Sequence, residues 1–223
     1  MGLDMRPLGK PKPGKEKRFS EVFRILTNKQ KQKLSFIARL QGKKIKTQSE
    51  LLEEWESIQI KSYETLKAPR VGRDKEADNW LLEQYEKTDK KVNFDQFVKD
   101  NNGYYVLELA KEIDGVPVYI SFGQDINVFR GQFLRSCEPL IGRRLVAEAW
   151  QTKFSRETLD YGKRLMNAAD KIAQQQKLSY LKEQRLPPES DPEALESKVH
   201  VIYSLAKWLI FYGNNGHGYE ADY

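Results

Sequence analysis

Cysteine and histidine are scarce in this sequence, with one Cys and two His among 223 residues. A lone thiol, Cys137, closes no internal disulfide, which fits a reducing compartment. So few soft ligands also exclude the paired Cys/His spacing of a structural zinc site. Long apolar runs are missing too. None approaches the roughly 20 residues that span a bilayer, so no membrane partner is expected. The stretch from Met1 to Pro7 has no apolar segment, and no secretory signal is expected there. Mean hydropathy is −0.72, and no internal repeat is visible. These absences point to a soluble, cytoplasmic, globular chain.

What is present is charge and enough apolar mass for a core: 31% charged and 39% hydrophobic residues. The charge is uneven. Residues 1–50 hold 14 Lys/Arg against 4 Asp/Glu, and residues 51–223 hold 24 against 28. A basic end on a mildly acidic body is the footprint of a polyanion-binding arm, and equally of a solvated terminus. The cations that could contact phosphates are Lys10, Lys12, Lys15, Lys17, Arg18, Lys43, Lys44 and Lys46, joined by Arg70 and Arg73 if their loop lies close. Clustered cations suffice for phosphate contact. No zinc-finger spacing, RNP-type strand or helix-turn-helix accompanies them, so base-specific reading is not expected.

Residues 1–16 are rich in Pro and Gly and read as an extended arm. From Phe19 the pattern turns helical, with Phe19, Val22, Phe23 and Leu26 on one face. A second amphipathic stretch runs through Leu34, Ile37, Ala38 and Leu40. Thr47 and Glu50 form a capping box for a helix burying Leu51, Leu52, Trp55 and Ile58. Asp74 caps the next helix, on which Ala77, Trp80, Leu81 and Tyr85 share a face.

One segment, 104–122, has the alternation of a β-hairpin. Tyr105, Leu107 and Leu109 form one strand and Val116, Val118, Ile120 and Phe122 the other, with Asp114-Gly115 as a type I′ turn. The remainder reads as helix. Ile126, Phe129, Phe133 and Cys137 make an apolar stripe. A long helix opened by Ser155 carries the small residues Gly162 and Ala169 on its inner face, which permits close helix approach. Asp191 and Pro192 open a final, broadly apolar helix that Gly213 stops. The expected fold is therefore α+β: a mostly helical single domain over 17–223, about seven helices packed around one hairpin, with an extended basic arm at 1–16.

Four features resemble chemistry. The run from Tyr85 to Gln96 places only one carboxylate, Asp89, where an EF-hand needs several, and lacks the bidentate Glu. Asn93 capping a short helix is the better reading. The glycine-rich Gly213 to Gly218 follows a helix, whereas phosphate loops precede one. Cys137 sits on an apolar stripe, where thiols are usually inert. In the tail, His217, Tyr219, Glu220, Asp222 and Tyr223 combine aromatic area with carboxylates, which suits a docking contact with the body or with a partner. No catalytic set, metal cage or cofactor loop is assembled.

The expected function is accordingly that of a non-enzymatic interaction protein, inhibitor-, immunity- or adaptor-like, that fits a protein partner by surface complementarity. The alternative is a polyanion- or nucleic-acid-binding accessory protein using the basic N-terminal region. A distant third is a hydrolase with a His217/acid site.

Overall fold

The computed structural model describes residues 2–27, 30–32, 44–89, 92–109, 120–122 and 127–223. In chain order the elements are β1 (Asp4–Pro7), β2 (Lys10–Pro11), α1 (Glu16–Leu26), α2 (Gln48–Ser57), β3 (Gln59–Ile60), α3 (Ser62–Leu66), α4 (Lys75–Glu86) and α5 (Phe94–Asp100). They continue with β4 (Ile120–Phe122), β5 (Asn127–Arg130), α6 (Glu138–Glu148), α7 (Ser155–Gln176), α8 (Leu195–Asn214) and β6 (Tyr219–Asp222). Three 3₁₀ segments, Leu107–Leu109, Gly131–Cys137 and Ser179–Lys182, join them. The fold is α+β and mostly helical. No helix among the described residues is long and apolar enough to cross a membrane.

The chain forms two compact units, Gly9–Lys61 and Met1–Leu8 with Ser62–Tyr223. The expected arm is thus divided, its first eight residues going to the larger unit and the rest to the smaller.

In the smaller unit β2 pairs antiparallel with β3, Lys10 opposite Ile60. Phe19, Val22 and Phe23 of α1 are buried with Leu51 and Trp55 of α2. Phe19 stacks on Trp55 with ring centroids 4.2 Å apart, a contact that adds to the burial of both rings. The Thr47 capping box is present in both directions, which satisfies two orphan amides at the start of α2. The amphipathic stretch expected at 34–40 lies outside the described residues, as does Lys43.

In the larger unit the strand order is β4-β5-β1-β6. The Pro/Gly-rich N-terminus therefore does not hang free. β1 is an inner strand, antiparallel to β5 (Met5 opposite Phe129) and to β6 (Pro7 opposite Tyr219). Leu3 and Met5 alternate with Asp4 and Arg6 and are fully buried. Pro7 ends the strand.

The hairpin is displaced from its expected place. Leu107–Leu109 is a 3₁₀ turn, and Ile120–Phe122 pairs with Asn127–Arg130. The Asp114-Gly115 turn lies outside the described residues. Phe129 and Cys137 are buried as expected, yet Phe133 is exposed. The cause is the period. The segment is 3₁₀, three residues per turn, so Gly131, Leu134 and Cys137 share the inner face and Phe133 does not.

The core is organised by α7 and α8. Gly162 lies so close to Leu209 and Ile210 that an added Cβ would meet them at 2.8–3.0 Å. α8 is buried nearly all round, as befits a central helix. It begins at Leu195 rather than at Asp191. The Asp191 side chain instead accepts the Glu193 amide in a turn just upstream. Gly213 does not stop it, since the helix runs to Asn214. β6 then returns to pair with β1, which makes the tail part of the sheet.

Candidate functional site

The single Cys and the two His of the sequence are held by the surrounding structure. Cys137 is fully buried, and burial pushes its thiol up to about 12. A thiolate nucleophile needs the opposite shift. His200 is buried beside the Gln184 carbonyl at 3.0 Å, and burial lowers its pKa. His217 is also buried. Its Nδ1 lies 2.8 Å from the Leu8 carbonyl oxygen, which can only accept, so Nδ1 carries the proton. Nε2 lies 2.8 Å from the Thr65 hydroxyl and shares a hydrogen bond with it. Both ring nitrogens are used, and none is left for Glu220 or Asp222. Among the described residues, no group of three His, Cys, Asp or Glu could hold a metal ion.

Of the two docking places expected for the tail, the structure shows contact with the body. His217 and Tyr219 are core residues, and the Tyr219 hydroxyl donates to the Glu148 carbonyl at 3.1 Å. Asp222 pairs with Arg6 across the strands at 2.7 Å. Tyr223 remains exposed beyond the strand, and Glu220 is half-buried.

The basic candidates separate into two groups. In the smaller unit, Glu54 accepts two hydrogen bonds from Arg18, at 2.7 and 2.6 Å, and one from Lys46 at 3.2 Å. These hold its carboxyl down at about 2, with the Arg18 bond the largest cause. Lys12 donates to the Ser57 carbonyl at 2.8 Å, and Lys10 lies on β2. Lys15, Lys17 and Lys44 are exposed. Arg70 and Arg73 belong to the larger unit.

Three surface features remain in the larger unit. An open cleft of about 600 Å³ is lined by Arg144, Glu148, Asp160 and Arg164. Three of these charges, Glu148, Asp160 and Arg164, are already paired with one another. Arg164 grips Glu148 with two hydrogen bonds at 2.8 and 2.6 Å and Asp160 with one at 2.9 Å. A second polar cluster joins Lys182 to Asp170 at 3.0 Å and Tyr203 to Asp170 at 2.9 Å. Burial lowers the Lys207 pKa, but its ammonium donates to the Lys182 carbonyl and serves the packing of α8.

The third feature is a groove of about 540 Å³ between the Gly131–Cys137 segment, the proline loop and the start of α8. Phe133 and Pro187, Pro188 and Pro192 form its apolar walls, and Val201 and Ser197 lie buried in its lining. Gln132, Ser136 and Ser190 add hydrogen-bonding groups, and Arg135 and Glu193 opposite charges. The volume falls within the range of ordinary ligand pockets, and an apolar lining with a few polar groups is their usual chemistry. Sequence reading missed this site. A 3.6-residue period turns Phe133 inward with Phe129 and Cys137, whereas the 3₁₀ period leaves it outside. The one available signal was the pairing of an odd aromatic with a triple-proline loop.

Compared with protein-family models, curated proteins and solved structures, the chain matches no family, no curated protein and no solved structure.

Proposed function

We propose that this is a non-enzymatic interaction protein that holds an extended segment of a protein partner in the Phe133–Pro188 groove. One observation carries the reading. Phe133 stands 41% exposed in a groove whose other wall is three prolines. Prolines have no backbone donor and little conformational freedom to lose, so the wall is preorganised and binding costs less ordering entropy. An exposed aromatic beside such a wall is the anchor geometry of a hot spot. The committed state of Cys137, His200 and His217 supports a role without catalysis.

The test places a photo-crosslinking amino acid at position 133 and expresses the chain in its native host. The expected result is a crosslink to one defined segment of a protein. A synthetic peptide of that segment then binds the purified chain, and Phe133→Asp weakens it at least about tenfold. Failure of the peptide to bind, or indifference to Phe133→Asp, overturns the reading.

A second reading rests on a separate observation. The smaller unit carries 14 Lys/Arg against 6 Asp/Glu, so its cations exceed its acids even if every acid is paired. Such a surface attracts polyanions.

A further inference from the structure

We propose that Arg70 is the centre of a small oxyanion site in the larger unit, built to take a phosphate group. It is independent of the groove and of the smaller unit's charge.

The site follows from strand geometry. Arg70 and Tyr105 form an isolated antiparallel bridge. The bonds that frame it run from the Val71 amide to the Tyr104 carbonyl, 3.0 Å, and from the Val106 amide to the Pro69 carbonyl, 2.9 Å. This makes Arg70 and Tyr105 a non-hydrogen-bonded pair, the kind whose side chains stand closest. Val71 and Val106, flanking the bridge, are fully buried and anchor both segments. The Arg70 guanidinium accordingly lies over the Tyr105 ring, its carbon 3.9 Å from the centroid. Tyr63 stands 4.7 Å from Tyr105, ring to ring, and 5.7 Å from the guanidinium carbon.

Stacking fixes the plane of a guanidinium and leaves its N–H edge unused. Among the described residues, the Arg70 side chain donates no hydrogen bond and forms no ion pair. Its Nε is buried with no acceptor. Elsewhere in this chain, arginines held in fixed positions grip carboxylates, Arg18 on Glu54 and Arg164 on Glu148. Asp74, four residues on, is the nearest carboxylate in the loop, but it accepts the Arg70 backbone amide at 2.8 Å instead. A buried donor without an acceptor is costly, and a charged one more so. A planar fork with its donors unspent is the shape that bidentate phosphate recognition requires. Burial raises the Tyr105 pKa, as do Tyr63 and the Glu64 carboxylate, while Arg70 and Arg73 lower it, so Arg73 adds a second positive charge beside one negative one. Two cations favour a phosphate dianion over a carboxylate.

The test uses the full chain and follows the Arg70 Nε–Hε resonance by ¹H–¹⁵N correlation during titration with inorganic phosphate, then with phenyl phosphate and acetate. The expected result is a saturable downfield shift with phosphate, weaker with acetate by about tenfold. Arg70→Lys keeps the charge but loses the fork, and should weaken phosphate binding about tenfold with an unchanged melting temperature. Tighter binding of phenyl phosphate marks a ligand that stacks on the tyrosines; equal binding marks free phosphate as the ligand. No saturable shift with either phosphate, or equal affinity in Arg70→Lys read from the Arg73 and Tyr105 resonances, overturns the proposal.

Discussion

Single residues in this chain show how position decides chemistry. Cys137 falls on the inner face of a 3₁₀ turn, with its sulfur 3.5 Å from the Lys198 carbonyl. Burial disfavours the thiolate. We expect it to resist thiol reagents in the folded chain at about pH 8, and to react at the rate of a free thiol once the chain is unfolded. Rapid labelling of the native protein would contradict this. Glu54 behaves oppositely. Its folded pKa is about 2 against an ordinary 4.5, so it binds its proton less readily folded than unfolded. Stability from this group is present above about pH 4.5 and lost as pH falls toward 2. Glu54→Gln should therefore destabilise the smaller unit by roughly 1 kcal/mol at neutral pH, a modest figure because Arg18 and Lys46 remain partly solvated. The difference from the parent chain should vanish near pH 2. A gap that persists there would assign the effect to packing. The Glu54 grip was not legible in the sequence, because Arg18 and Glu54 are 36 positions apart and only tertiary packing joins them.

Elements were legible where a local rule decides them and illegible where distant partners do. The Thr47 capping box, the Asn93 cap on α5 and the close approach at Gly162 all depend on spacing within a few residues or on residue size, and all are present. Asp74 sits at the N-cap position of α4, but its side chain binds the Arg70 amide. β1 and β6 were missed as strands because each is only four residues long, and proline and glycine in the flanks outweighed the alternation of Leu3 and Met5. Their pairing partners lie more than 200 residues apart, beyond any local signal. A terminal segment that contributes an inner strand cannot be dispensable. Removing residues 1–8, or residues 216–223, should unfold the larger unit, where a free arm or tail would leave the helix signal intact. Met5→Ala tests the same point with less disruption. It deletes a fully buried side chain beside Phe129 and should cost about 2–5 kcal/mol by chemical denaturation. A loss under about 0.5 kcal/mol, the range of an ordinary surface site, would return β1 to the status of an arm.

At the scale of the molecule, the uneven charge read along the sequence coincides with the division into units. Gly9–Lys61 carries 14 Lys/Arg and 6 Asp/Glu, while the rest of the chain is nearly balanced at 24 and 26. The strongest local pairings do not remove this excess. Arg18 and Lys46 share Glu54, and Arg18 also pairs with Glu21 at 3.0 Å, yet the unit's 14 cations still outnumber its 6 acids. Lys15, Lys17 and Lys44 are exposed, and among the described residues their ammonium groups hold no carboxylate. If the excess serves polyanion binding, affinity for a single-stranded oligonucleotide must fall with salt by about 0.7 logarithmic units per phosphate contact. The triple replacement Lys15→Gln, Lys17→Gln and Lys44→Gln should then flatten the slope by about 2 and leave the melting temperature unchanged. Phe133→Asp in the larger unit should not alter the slope, which separates this activity from the groove. Absence of binding at about 50 mM salt, or a slope indifferent to the three lysines, would assign the charge of the smaller unit to solvation alone.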